Sequence, residues 1–232
     1  MFTPIKSTKV YEHVVDQIKY MIDKGILKKG DKLPPERELV DQLQVSRTSL
    51  REALRSLQVM GLIESCQGEG NFIKDNFENT LVEPLSIMFL LQNASLQDIM
   101  ELRSILEVEM VMIASERAEQ EELYYLGELI NKSRYTKAET LSLQFDREFH
   151  YKIAECTKNF LILNVLQAVY GLMDNFLRDE RTRIVLVEGN RQEIVKQHEA
   201  VFYALVDRDG KRAAAAMKEH LEFTVTNLMK LK

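Results

Sequence analysis

The sequence predicts a mainly α chain: a head of three helices and one β-hairpin, then an all-α bundle of six or seven helices. Three observations predict this. Glycine and proline are scarce, 9 and 4 in 232 residues, which leaves long stretches unbroken. Apolar residues recur at helical spacing along most of the chain. A strand pattern competes only between Leu62 and Ile73, where two short runs flank Gln67-Gly68-Glu69-Gly70.

In the head, Val10, Val14, Val15, Ile18, Met21 and Ile22 share one helix face, and Gly25 lies where that helix stops. Lys29-Gly30-Asp31 is a turn. After Pro34-Pro35 a short helix runs from Glu36 to about Leu43, with Leu39, Val40 and Leu43 apolar. Ser46 caps a third helix, and Val45 and Leu50 occupy the positions of a hydrophobic staple. Leu50, Ala53, Leu54 and Leu57 give this helix its core face, while Arg47, Arg51 and Arg55 repeat every four residues on another. Leu62–Cys66 and Asn71–Ile73 pair as a hairpin. This order of elements is a winged helix-turn-helix. Its third helix offers its N-terminal end to the DNA major groove, which puts Arg47, Thr48, Ser49 and Arg51 against bases and phosphates. The plainer alternative is a solvated arginine face balanced by Glu52.

The polar stretch from Lys74 to Pro84 reads as a linker. The expected organisation is a DNA-binding head over 1–74, a linker over 75–84 and a helical domain over 85–232. In the last, helices are expected near Val82–Leu91, Leu96–Arg117, Gln120–Ser133, Ser142–Thr157, Phe160–Asp179, Arg191–Arg208 and Lys211–Met229.

Three of the four histidines fall on apolar faces of these helices. His198 has Ile194, Val195, Val201 and Phe202 one turn away, and His220 is flanked by Ala216, Met217 and Phe223. Asp146 and His150 lie one turn apart and share a face. His13, among Lys9, Asp16 and Gln17, is expected to be exposed. A single inward histidine is ordinarily a satisfied core residue. Three on separate helices with a carboxylate ask for a dense hydrogen-bond network or a divalent transition metal, zinc first, with nickel or manganese as alternatives. Arg103, with Met100, Leu106 and Met110 at helical spacing, also leans inward. It is a candidate partner for a ligand carboxylate, or for a nearby glutamate such as Glu107.

Net charge is −5, unevenly divided: residues 1–75 carry +1 and residues 76–232 carry −6. Only clustered basic residues make such a chain a DNA binder. Cys66 and Cys156 match no metal or redox spacing. No leader and no apolar run long enough to span a bilayer is evident, so a cytoplasmic protein with no membrane partner is expected.

Lys32-Leu33-Pro34-Pro35-Glu36-Arg37-Glu38-Leu39, Val45 to Leu54, Gly61-Leu62-Ile63-Glu64 and Gly68 to Ile73 resemble, in order and spacing, the GntR family of bacterial regulators. The resemblance implies DNA contacts at Arg37, Arg47, Thr48, Ser49, Arg51 and Gly68, with Ser46 and Gln67 beside them. Two positions depart from the family pattern. Pro35 stands where a capping Ser or Thr is usual, and Glu69 where the wing often carries a basic residue. Glu69 would repel phosphate, which moves the wing contact to backbone N–H groups and Gln67.

The helical part resembles the FCD effector domain of the FadR-like subfamily. The segment Glu101 to Glu107 resembles its first-helix signature, and Asp146-Arg147-Glu148-Phe149-His150 its metal-binding helix. By that resemblance Asp146, His150, His198 and His220 are metal ligands, and Arg103 is the effector-binding arginine. The implied protein is a homodimeric repressor on a palindromic operator, responsive to a small organic acid: lactate, a sugar acid, or a di- or tricarboxylate. Two other readings share the site: a metal-dependent hydrolase-type enzyme using Asp146 and the histidines, and a regulator whose metal is purely structural.

Overall fold

A computed structural model describes residues 10–75, 80–92, 95–136, 138–176, 186–187 and 189–230. The chain forms two compact units, residues 1–80 and 81–232. The described residues hold ten helices and one hairpin.

The first unit contains α1 (Val10–Asp23), α2 (Glu36–Leu43), α3 (Arg47–Val59), β1 (Ile63–Cys66) and β2 (Gly70–Ile73). Pro35 precedes α2 and gives it no side-chain cap. Gln44 then takes a left-handed conformation that ends α2 and turns the chain into α3. Ser46 caps α3 by accepting a 3.0 Å hydrogen bond from the Ser49 N–H. The hairpin is antiparallel, pairing Ile63 with Ile73 and Cys66 with Gly70. Lys32 bridges Phe72, and Leu33 N–H donates to the Asn71 carbonyl at 2.8 Å, so the turn after α1 is stitched to β2. One core forms from Val14, Val15 and Ile18 of α1, Leu39 of α2, Leu50, Leu54 and Leu57 of α3, and Ile63 and Ile73 of the hairpin.

The second unit contains α4 (Val82–Leu91), α5 (Leu96–Arg117), α6 (Gln120–Tyr135), α7 (Glu139–Cys156), α8 (Phe160–Phe176), α9 (Asn190–Val206) and α10 (Gly210–Lys230). Several boundaries correct the sequence reading. Helix α4 has the expected bounds, so positions 82–84 of the expected linker belong to it; Pro84 sits in its first turn, where its missing N–H costs nothing. Helix α6 runs two residues past Ser133, and α7 starts three before Ser142. Helix α9 stops at Val206, and Arg208, expected to be helical, has φ +58°. Residues 177–179 of the helix expected over Phe160–Asp179 lie outside the described residues.

Helix α5 is the axis of this unit, packing on α7, α8, α9 and α10. A Ser95–Asp98 capping box starts it, each residue's side chain bonding the other's backbone N–H. Around it Met110, Val111 and Ala114 meet Leu126, Ile153, Val201 and Met217, all essentially inaccessible to water.

Leu57 is fully buried at the centre of the first unit's core. Leu57→Ala is expected to destabilise that unit by about 2–5 kcal/mol through a cavity that rigid helices cannot collapse. Chemical denaturation followed by circular dichroism measures it; a loss well under 1 kcal/mol would contradict this packing.

Candidate functional site

On the first unit, Arg37, Ser46, Arg47, Thr48 and Arg51 are exposed and Ser49 is half-buried. They stand on α2 and on the first turn of α3, whose other face is spent on the core. The N–H groups of a helix start favour phosphate oxygens, and at α3 that of Ser49 is already taken by the Ser46 cap. Arg51 is not simply solvated: its Nε donates to Glu36 Oε2 at 2.9 Å. That partner is on α2, where sequence spacing along α3 could not find it. Gln67 and Gly68 are exposed in the hairpin turn. Gly68 has φ +80°, and a side chain built there would meet nothing within 4 Å, so its backbone is open to close approach.

In the second unit three helices, α7, α9 and α10, bring Asp146, His150, His198 and His220 together. Each offers a ligand atom, and these atoms all lie within 4.8 Å of one another. The three imidazoles are fully buried and Asp146 is largely so. Asp146 Oδ1 lies 3.9 Å from His150 Nε2 and 3.4 Å from His198 Nε2. The rings pack on one another, His198 to His220 at 4.6 Å and His150 to His220 at 5.1 Å between centroids, and Phe149 stacks on His198 at 4.2 Å. His13 is exposed, as its polar surroundings predict.

Burial governs the protonation of these rings. It pushes His198 down from 6.5 to about 3, helped by His150 and Arg103 against the attraction of Asp146. His220 is driven well below its ordinary value by burial, then by His198 and His150. Both are neutral at pH 7 and keep a lone pair. Among the described residues, His198 Nε2 and His220 Nε2 are buried with no hydrogen-bond partner. Orphaned buried nitrogens beside a carboxylate fit a divalent transition metal, because they offer lone pairs that nothing else uses. The cluster can hold such an ion.

Arg103 borders this cluster and is itself only 1% exposed. Its Nε donates to Glu107, one turn on, and its Nη2 donates to the Tyr170 hydroxyl at 2.6 Å and to His150 Nε2 at 3.2 Å. Glu107 also faces His150 Nδ1. Burial opposes both charges. Arg103 and His150 nonetheless hold Glu107 down at about 2, while Glu107 leads Tyr170 and Asp146 in keeping the guanidinium charged. The glutamate alternative for Arg103 is thus realised, and the same arginine still touches the cluster. Sequence reasoning did not single out Tyr170 or Gln197. Gln197 Oε1 lies 3.2 Å from His220 Nδ1. A buried glutamine one residue before an inward histidine was the only available signal.

A groove of about 390 Å³ between α6 and α9 shares no residue with the cluster; Tyr124, Gly127 and Phe202 line it, and its Arg134 and Glu199 pair with each other. Cys156 is fully buried, which raises its thiol to about 12 and makes it inert, and Cys66 is also a free thiol.

A winged helix-turn-helix joined to an all-α domain with a buried ligand-type cluster defines a transcription regulator rather than an enzyme. The chain belongs to the gntR family of bacterial regulatory proteins, whose sequence profile matches residues 10–73, and carries an FCD domain over residues 98–223. It is 31% identical over 203 residues to the HTH-type transcriptional regulator LutR of Bacillus subtilis, covering 87% of this chain and 93% of that protein. It is 31% identical over 224 residues to an Escherichia coli protein assigned to regulation of the L-lactate dehydrogenase operon, covering 95% and 86%. The Glc operon transcriptional activator of E. coli is 28% identical over 225 residues, covering 94% and 89%. A solved GntR protein from Streptococcus agalactiae has the same fold, with a TM-score of 0.71 at 24% identity over 92% of this chain and 97% of that one. No helix among the described residues is long and apolar enough to cross a membrane.

Because His198 and His220 refuse protons that the unfolded chain accepts near 6.5, their contribution is full above that pH and is lost progressively as pH falls from there toward the folded value, about 3 for His198. With metal removed by chelation, the second unit's unfolding midpoint is expected to fall steadily between pH 7 and 5. A flat midpoint over that range, followed by calorimetry, would contradict their burial as neutral rings.

Proposed function

We propose that this regulator senses a small organic acid at a divalent metal held by Asp146, His150, His198 and His220, and that this binding controls its grip on operator DNA. One observation carries the reading: three buried imidazoles converge on a carboxylate, and His198 Nε2 and His220 Nε2 lie there with no hydrogen-bond partner. Zinc suits one oxygen and three nitrogen ligands, with nickel or manganese as alternatives. When bound, the metal supplies a Lewis-acidic site for a carboxylate and an adjacent hydroxyl. Arg103 stands at the edge of the cluster as the cationic partner for the same carboxylate. L-lactate is the first effector to test, because a relative at 31% identity is assigned to an L-lactate dehydrogenase operon. Sugar acids and di- or tricarboxylates are the other members of the class.

On the head, Arg47, Thr48, Ser49 and Arg51 read the major groove, Arg37 and Ser46 hold phosphates, and Gln67 with the Gly68 backbone follows the adjacent groove. The head is taken as residues 1–74 and the effector-binding and dimerisation domain as 85–232. A homodimer places two heads on the half-sites of a palindrome. Effector binding favours the arrangement that does not hold DNA, which makes the protein a repressor.

Elemental analysis of the purified protein is expected to find about one transition metal per chain; none after loading would sink the reading. An operator selected from random duplexes then gives two outcomes. Arg47→Ala is expected to cost about 1–3 kcal/mol of operator affinity, read by fluorescence anisotropy. His198→Ala is expected to keep operator affinity and to abolish release by L-lactate and by the other acids. If chelation instead unfolds the domain whether or not acid is present, the metal is structural.

A further inference from the structure

Two buried side chains outside the proposed ligand set orient it. Gln197 is on α9, immediately before His198, and its Oε1 meets His220 Nδ1 at 3.2 Å. Its amide cannot be turned round without loss, because its Nε2 donates to Glu193 Oε1 at 3.4 Å, and a carboxylate only accepts. The Gln197 carbonyl therefore faces His220, so the proton at that contact is on His220 Nδ1. His220 Nε2 is left as the lone-pair nitrogen, and this is the atom buried without a hydrogen-bond partner.

His150 obeys the same logic from the opposite side of the cluster. Glu107 faces its Nδ1, and Arg103 Nη2 lies 3.2 Å from its Nε2. A guanidinium can only donate, so Nε2 accepts and Nδ1 carries the hydrogen; it faces Glu107 Oε2, although the two atoms are not aligned as a regular hydrogen bond. The two partners of one ion pair, one acceptor-only and one donor-only, specify a single tautomer.

We propose that Gln197 and Glu107 are positioning residues that favour the Nδ1–H tautomers of His220 and His150, leaving the His220 Nε2 lone pair free in the cluster and that of His150 facing Arg103. The proposal rests on the metal reading for its purpose, though the tautomers themselves do not. It makes the set more than a list of ligand types. A histidine free to flip or to change tautomer would present an N–H to a cation, and outer partners that forbid this raise metal affinity about 10–100-fold.

The test uses the full-length chain, ¹⁵N-labelled on histidine and freed of metal, in long-range ¹H–¹⁵N correlation spectra at pH 7. His220 and His150 are expected to show a protonated, pyrrole-type Nδ1 and a pyridine-type Nε2. Gln197→Leu, close in shape but without the acceptor, is expected to shift His220 toward a tautomer mixture and to weaken Zn²⁺ binding about 10-fold or more against a chromogenic chelator. Gln197→Glu restores the acceptor and is expected to restore the Nδ1–H tautomer. Glu107→Gln tests His150 in the same way, and where loss of the charge facing Arg103 prevents folding, the wild-type His150 spectrum decides alone. A predominantly Nε2–H tautomer at His220 or His150 in the wild type overturns the proposal, as does a Gln197→Leu variant with unchanged tautomer and unchanged Zn²⁺ affinity. If the wild type takes up no Zn²⁺, Ni²⁺ or Mn²⁺, the metal reading fails, and the spectra still decide the tautomers.

Discussion

Arg103 and Glu107 put opposite charges one helical turn apart on α5, beyond the reach of water. A buried ion pair is tolerable only when its remaining donors and acceptors are also satisfied. Here Tyr170 from α8 and His150 from α7 take the remaining donors of Arg103, and His150 Nδ1 faces Glu107. Three helices are thereby held in one register by polar contacts, at the place where the bundle core gives way to the cluster. The orientation of His150 follows from the pair. The placement of Asp146, one turn before it, follows from His150.

The histidines show why burial matters more than residue type. In water an imidazole is partly protonated near neutral pH, and the protonated fraction cannot ligate. Stripped of water and set beside one another, His198 and His220 stay neutral, and their lone pairs remain available. The apolar bundle is therefore part of the site's chemistry as well as its support. Phe149, stacked on His198, belongs to both.

In the head the division of labour is simpler. The 3.6-residue period sends Leu50, Leu54 and Leu57 inward and leaves Arg47, Arg51 and Arg55 outward, so the same helix builds the core and presents the charges. The Arg51–Glu36 pair is exposed to solvent and therefore weak, so it can yield to a phosphate or a base edge. Glu36 orients Arg51 without locking it.

Much of this was legible along the chain, because it depends on period and on local chemistry. Helical spacing located every described helix of the bundle, with errors confined to their ends, where one turn of backbone has several acceptable caps. Ser46 announced the start of α3, and the Asp146–His150 spacing announced one half of the cluster. Wheel positions separated His150, His198 and His220 from His13, since an apolar face predicts burial whatever it packs against. What the wheels could not supply was distance between helices. The convergence of α7, α9 and α10 on one point, the insertion of Tyr170 from α8, the pairing of Arg51 with a residue on another helix, and the amide of Gln197 on His220 are all contacts between elements far apart in sequence. The sequence alone determined which residue types face inward, because periodicity and burial are local properties. Only the tertiary structure decided which atoms meet, because hydrogen-bond partners depend on the packing of helices against one another.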